Sequence, residues 1–148
     1  MSNQPSFWTT PTQSADNPHN VVIVTGRRDV ETFRKNPRFK YRVDVTLPYE
    51  ADATGMPDYQ TSKLMAEATD SIAAVLKKDP VAVMTGIYTG DGKRDWIFYT
   101  VSLHIFQRKF NEAMAQLPTL PLEFHAEEDP QWEEYQNMKD LTEIAEEE

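Results

Sequence analysis

The sequence predicts an α+β fold: a four-stranded antiparallel sheet with two helices on one face, extended by an N-terminal strand and a C-terminal helix. Three observations lead there. Residues 81–100, VAVMTGIYTGDGKRDWIFYT, read as a β-hairpin, with β-branched and aromatic residues alternating on both arms. Between the arms, Gly90-Asp91-Gly92 supplies the positive φ that a tight connection needs. Amphipathic helical patterns flank the hairpin on both sides. From Lys40 onward the elements then run β-α-β-β-α-β, the order of the split βαβ, ferredoxin-like arrangement.

Taken in order, residues 1–20 are rich in Ser, Thr, Asn, Gln and Pro and read as a flexible arm. Phe7 and Trp8 stand out in it, either docked on the domain or held as anchors for a partner. VVIVTG, residues 21–26, is an apolar run of strand length. Asp29 is placed to cap a brief helical segment that ends before Asn36-Pro37. In KYRVDVTLP, Tyr41, Val43, Val45 and Leu47 alternate with Lys40, Arg42, Asp44 and Thr46, which makes a strand with one wet face. Residues 49–55 form a loop. Pro57 suits the first turn of a helix that reaches Lys78, with Leu64, Ala68, Ile72, Val75 and Leu76 on one stripe. Asp58 near its start and Lys77-Lys78 at its end suit the helix dipole, and Asp79-Pro80 stops it. In the second hairpin arm Trp96 and Phe98 take one face, Ile97 and Tyr99 the other. Ser102 is placed to cap a second helix carrying Leu103, Phe106, Phe110, Met114 and Leu117, ended by Pro118 and Pro121. Leu120, Leu122 and Phe124 alternate as a last strand. Asp129-Pro130 opens a terminal helix in which Trp132, Tyr135, Met138, Leu141 and Ile144 recur at every third position. One domain, residues 21–138, thus lies between the arm and an acidic tail, residues 139–148.

Composition narrows the chemistry. The chain has no cysteine, so disulfides, thiolate metal sites and cysteine nucleophiles are excluded. The polar N-terminal stretch has neither the basic nor the apolar region of a signal peptide, and no apolar run nears the roughly 18 residues of a membrane span. The expected compartment is the cytoplasm, away from membranes. The net charge of −9 is lopsided: from Glu123 onward eleven acids face one base, Lys139, while the rest of the chain is within one charge of neutral. A basic stretch from Arg27 to Arg42 carries seven bases in sixteen residues. It reads as neutralised from within by the acidic end, at high effective concentration, rather than as a nucleic-acid site. The expected partner is a basic protein and not nucleic acid.

No residue pattern marks a catalytic, cofactor or metal site. His19, His104 and His125 are far apart and form no H-x-x-x-H or H-E-x-x-H pair. Ser62, Ser71 and Ser102 lack a G-x-S-x-G setting. TGDG at 89–92 joins strand to strand, without the helix N-terminus of a phosphate loop. Glu127-Glu128-Asp129 and Glu133-Glu134 form a solvated acidic run without EF-hand spacing, and acid catalysis needs carboxylates in unlike environments. Arg94 is placed to pair with an acid from this run, tying the hairpin to the terminal helix. Trp96, Phe98, Tyr99, Trp132 and Tyr135 are the largest apolar payload. The aromatic set that faces away from the two helices is either covered core or an open binding face.

The segments Gly55-Met56-Pro57, TGDGKRDWIFYT at 89–100 and EEDPQWEEY at 127–135 resemble the bacterial family catalogued as domain of unknown function 695. Its marks are a Gly-Asp-Gly-x-Arg turn leading into an aromatic strand, then Asp-Pro-x-Trp-x-x-Tyr. Here these are Gly90, Asp91, Gly92, Arg94, Phe98, Tyr99, Asp129, Pro130, Trp132 and Tyr135. The family has no assigned activity, so the resemblance implies no catalytic residues. The candidate binding residues are Arg94, Trp96, Tyr99, Asp129, Trp132 and Tyr135. The resemblance also implies a fold similar to that of the regulator of ribonuclease activity B family, small acidic proteins that inhibit an endoribonuclease by protein contact. Charge and resemblance together predict a non-enzymatic interaction or regulatory module, an acidic inhibitor of a basic protein such as a nuclease. An immunity-type protein against a nuclease toxin is a further form of this reading. The alternative is a small-molecule or enzymatic role on the open sheet face, built from Arg94, Asp95, Tyr99 and His125.

Overall fold

Alternating apolar residues and turn chemistry build six strands. In a computed structural model that describes residues 6–143, these are β1 (Phe7–Gln13), β2 (Val21–Arg27), β3 (Tyr41–Pro48), β4 (Ala82–Gly90), β5 (Lys93–Thr100) and β6 (Glu123–Glu128). The helices are α1 (Glu31–Arg34), α2 (Tyr59–Lys78), α3 (Leu103–Met114) and α4 (Glu133–Thr142). The strands make one antiparallel sheet in the order β1-β2-β4-β5-β3-β6. The sheet therefore has six strands, not the four of the ferredoxin-like arrangement that the sequence suggests, because two N-terminal strands extend it beyond β4. Phe7–Gln13, expected to be part of a flexible arm, pairs with β2 along its whole length. Trp8 anchors it, as described below. Residues 1–5 of that arm and 144–148 of the acidic tail, Ile144 included, lie outside the described residues.

The β4–β5 hairpin turns at Asp91 and Gly92, with φ of 55° and 80°, the positive values of a two-residue connection. An extra residue at Thr85 shifts the ladder between Met84 and Gly86. That bulge re-phases the alternation, so Ala82, Met84 and Ile87 all turn to the same side.

On that side lie α2 and α3. Asp58 caps α2 by accepting from the Thr61 N–H, so the helix starts at Tyr59, after Pro57 and not with it. Ser102 caps α3 by accepting from Ile105 N–H. The buried stripes are Met65, Ala68, Ile72 and Leu76 on α2 and Phe106, Phe110 and Ala113 on α3. They close over Val43, Val45, Leu47, Trp96 and Phe98. Leu120 and Leu122 precede β6 and pack against the same core rather than lying in the strand.

The other face is covered by α4 and the segment before it. Trp132, Tyr135 and Met138 pack on Trp8, Val24, Val83 and Tyr99. The apolar repeat of α4 follows the 3.6-residue turn instead of every third position, so Thr142 is buried and Leu141 is 83% exposed. Buried on both sides, β5 is the centre of the molecule.

Candidate functional site

Four of the six candidate residues meet where α4 joins the sheet. The Tyr99 hydroxyl donates to Asp129 Oδ2 at 2.7 Å. Asp129 also accepts from the backbone N–H groups of Glu133 at 2.9 Å and Glu134 at 3.1 Å. A helix start leaves its first N–H groups without partners. Asp129 therefore does the capping from four residues upstream, across a turn in which Trp132 adopts φ 57° and ψ 44°. That turn is why α4 begins at Glu133 and not at the Asp129-Pro130 signal. It lays the Trp132 ring flat on Tyr99, centroids 4.1 Å apart, and Trp132 Nε1 donates to the Phe39 carbonyl at 2.7 Å. Tyr135 reaches across the sheet, its hydroxyl donating to the Arg27 carbonyl at 2.5 Å.

A ring of polar groups surrounds this clasp. Arg42 contacts Asp44 at 3.0 Å, Glu127 at 3.3 Å and Asp129 at 3.8 Å. The Tyr88 hydroxyl donates to Glu134 Oε2 at 2.7 Å, while Glu134 Oε1 is buried without a hydrogen-bond partner among the described residues. Burial opposes ionisation of Asp129, but Tyr99, the two helix N–H groups and Arg42 outweigh it and hold the carboxyl below its usual range. Glu134 shows the reverse balance. Burial, with Asp44 and Asp129 nearby, pushes its pKa up against the opposing help of Tyr88 and Arg42. Burial also raises the hydroxyls of Tyr88 and Tyr99, and that of Tyr135 is pushed up to about 12. These phenols stay protonated and act as hydrogen-bond donors. The arrangement holds a helix in place.

Arg94 and Trp96 lie on the opposite side of β5. Trp96 is buried under α2, its Nε1 donating to Thr69 Oγ1 at 2.9 Å. Arg94 donates to Thr89 Oγ1 at 2.9 Å, its guanidinium 5.7 Å over the Trp96 ring, and makes no ion pair among the described residues. The contact with the acidic run expected of Arg94 belongs to Arg42 instead, because residue 94 shares its face with Trp96 and not with Tyr99. Arg94, Asp95, Tyr99 and His125 do not converge: Arg94 is on the other face, Asp95 and Tyr99 lie apart along β5, and β3 stands between that strand and His125. Asp95 bonds the Thr46 hydroxyl. His125 sits on exposed β6 beside Glu127. Of the two readings of the second sheet face, covered core holds: Trp132 and α4 fill the face that the small-molecule alternative needs open.

The remaining signature residues also act inside the fold. Asp91 accepts from Ser14 Oγ at 2.7 Å and Asn20 Nδ2 at 3.2 Å, fastening the β1–β2 connection to the hairpin turn. Of the two readings of Phe7 and Trp8, docking holds for Trp8. It is 5% exposed, donates to Thr142 Oγ1 at 2.8 Å and lies on Gly26, where a Cβ would come within 2.2 Å of the ring. The basic stretch is engaged in part from within: Arg42 by Glu127 and Asp129, Arg28 by Glu143. Tyr88 and Glu134 carry no motif, and only the face each side chain takes in the sheet or on α4 links them.

Among the described residues, no group of three or more His, Cys, Asp or Glu side chains is arranged to hold a metal ion, and no helix is long and apolar enough to cross a membrane. Fold and site define a class: an antiparallel α+β domain whose terminal helix is clasped to the second sheet face by Asp129, Trp132 and Tyr135. The chain belongs to the family of unknown function DUF695, whose model matches residues 8–138. No curated protein and no solved structure gives a match.

Proposed function

We propose that the protein is a non-enzymatic, cytoplasmic interaction module that offers its acidic C-terminal edge to a basic protein. One observation carries this reading. Glu123, Glu127, Glu128 and Glu133 stand exposed on β6 and at the start of α4, whereas the signature side chains Asp91, Arg94, Tyr99, Asp129, Trp132 and Tyr135 bond within the fold. Like charges gathered on a wet surface raise the local potential and speed encounter with a cation-rich partner. Inhibition of a basic enzyme such as a nuclease is the particular form we favour. The likeness to the regulator of ribonuclease activity B family that the sequence resemblance implies is the analogy that motivates this form.

Affinity capture with the full chain at low and high salt tests the reading. The expected result is retention of one or a few basic proteins at low salt and their release at high salt. A retained set that is acidic, or indifferent to salt, counts against it.

A further inference from the structure

We infer that β6 is a docking edge to which an extended basic segment of the partner adds as a further strand. This rests on the reading above and specifies how the contact is made. The sheet treats its two edges differently. At β1 the bonds Arg28 N–H to Ser6 and Ser14 N–H to Asn20 set the phase, so Phe7, Thr9, Pro11 and Gln13 turn their backbone outward. Pro11 has no N–H to offer there, and Arg28 Nη1 already donates to the Phe7 carbonyl at 2.8 Å.

At β6 the bond from Asp129 N–H to the Lys40 carbonyl, 2.7 Å, sets the phase. Glu123, His125 and Glu127 bond to β3, and Phe124, Ala126 and Glu128 present N–H and C=O groups outward. These have no backbone partner among the described residues, and all six strand residues are exposed. An unpaired edge of this kind is a template for an added strand.

The side chains specify the occupant. Glu123, His125 and Glu127 lie opposite Thr46, Asp44 and Arg42, on the α4 side of the sheet. Phe124 and Ala126 lie on the α3 side, where Phe124 meets Phe110 edge-on at 5.2 Å and remains 55% exposed. Phe124 also walls a cleft of about 400 Å³ with Phe110, Met114, Leu117, Leu120 and Leu122. The matching strand alternates, with cationic residues toward Glu123 and Glu127 and apolar residues toward Phe124 and the cleft. A second copy of β6 is a poor occupant, because its sequence EFHAEE brings further carboxylates and no lysine or arginine to the acidic edge.

The test titrates the full chain with a short synthetic peptide alternating lysine with leucine or valine. Its control is a peptide of equal charge with proline at every second position. The alternating peptide is expected to bind and to slow hydrogen exchange at the amides of Phe124, Ala126 and Glu128. The proline peptide is expected to bind about tenfold more weakly, and Ala126→Pro to weaken the alternating peptide by about as much. Ala126 makes no ladder bond to β3, so the substitution removes only an outward donor. Should that variant fail to fold, exchange at the three amides of the unaltered chain decides. Equal binding of both peptides without amide protection overturns strand addition and leaves the acidic-surface reading standing. Binding of neither overturns strand addition, and salt-dependent capture then reports separately on the broader reading.

Discussion

Tyr99 and Trp132 lie face to face at 4.1 Å, and each sends its polar atom elsewhere, Tyr99 to Asp129 and Trp132 to the Phe39 carbonyl. One stacked pair thus ties the central strand, the α4 cap and the loop before β3 together.

Removing either partner has a graded cost. Tyr99→Phe keeps the ring but removes one of the three donors to Asp129 and leaves the Tyr135 N–H without its acceptor. The expected loss is about 1–3 kcal/mol. Trp132→Ala is expected to cost about 3–5 kcal/mol. Urea denaturation measures both, and a Tyr99→Phe variant as stable as the parent contradicts the clasp.

The two carboxyls at the α4 start have opposite pH signatures. Asp129 titrates lower in the folded state than in the unfolded chain, where the value is about 3.9. Its ionised form therefore stabilises the fold fully above that unfolded value, and the contribution is lost as pH falls through the folded one. Asp129→Asn is expected to flatten the acid side of the stability curve. Glu134 titrates higher when folded, so stability present below its unfolded value, about 4.3, is lost as pH rises through the folded one. Glu134→Gln, which keeps an acceptor for Tyr88, should gain on the parent as pH rises from acid to neutral. Melting temperatures of both variants across pH check the two signs.

Trp8 and Gly26 are coupled by contact. A Cβ at Gly26 would fall within 2.2 Å of the Trp8 ring. Gly26→Ala alone should be strongly destabilising, and in a Trp8→Ala background nearly harmless. A double-mutant cycle is expected to give an interaction of about 1–3 kcal/mol, and simple additivity of the two changes contradicts the packing.

At the hairpin turn, Asp91→Asn keeps one side-chain acceptor and tolerates positive φ, whereas Asp91→Ala keeps neither. Faster hydrogen exchange across residues 14–20 is expected in the alanine variant only.

The hairpin, α3 and its Ser102 cap, and the Asp129-Trp132-Tyr135 segment were legible because each has a local signal: turn glycines, helical spacing, a proline. The strand at Phe7–Gln13 was not, since the residues that follow Trp8 on its inner face are the polar Thr10 and Thr12, half-buried, and Trp8 alone gives that side an apolar mark. The candidate site was half legible. The family resemblance singled out Tyr99, Asp129, Trp132 and Tyr135 together with Arg94 and Trp96, but strand alternation puts the last two on the far face. Arg42, Tyr88 and Glu134 meet only through ladder register and the turn of α4, which no short segment encodes.

The central claim is that the signature residues hold the fold while the exposed acids of β6 make the contact. It is tested most directly by comparing capture of the basic partner by Tyr99→Phe and by the double variant Glu123→Lys, Glu128→Lys, each first shown to be folded by circular dichroism. The account predicts that Tyr99→Phe retains the partner at the parent level and the charge-reversed chain loses it. Loss with Tyr99→Phe and retention by the charge-reversed chain would contradict it.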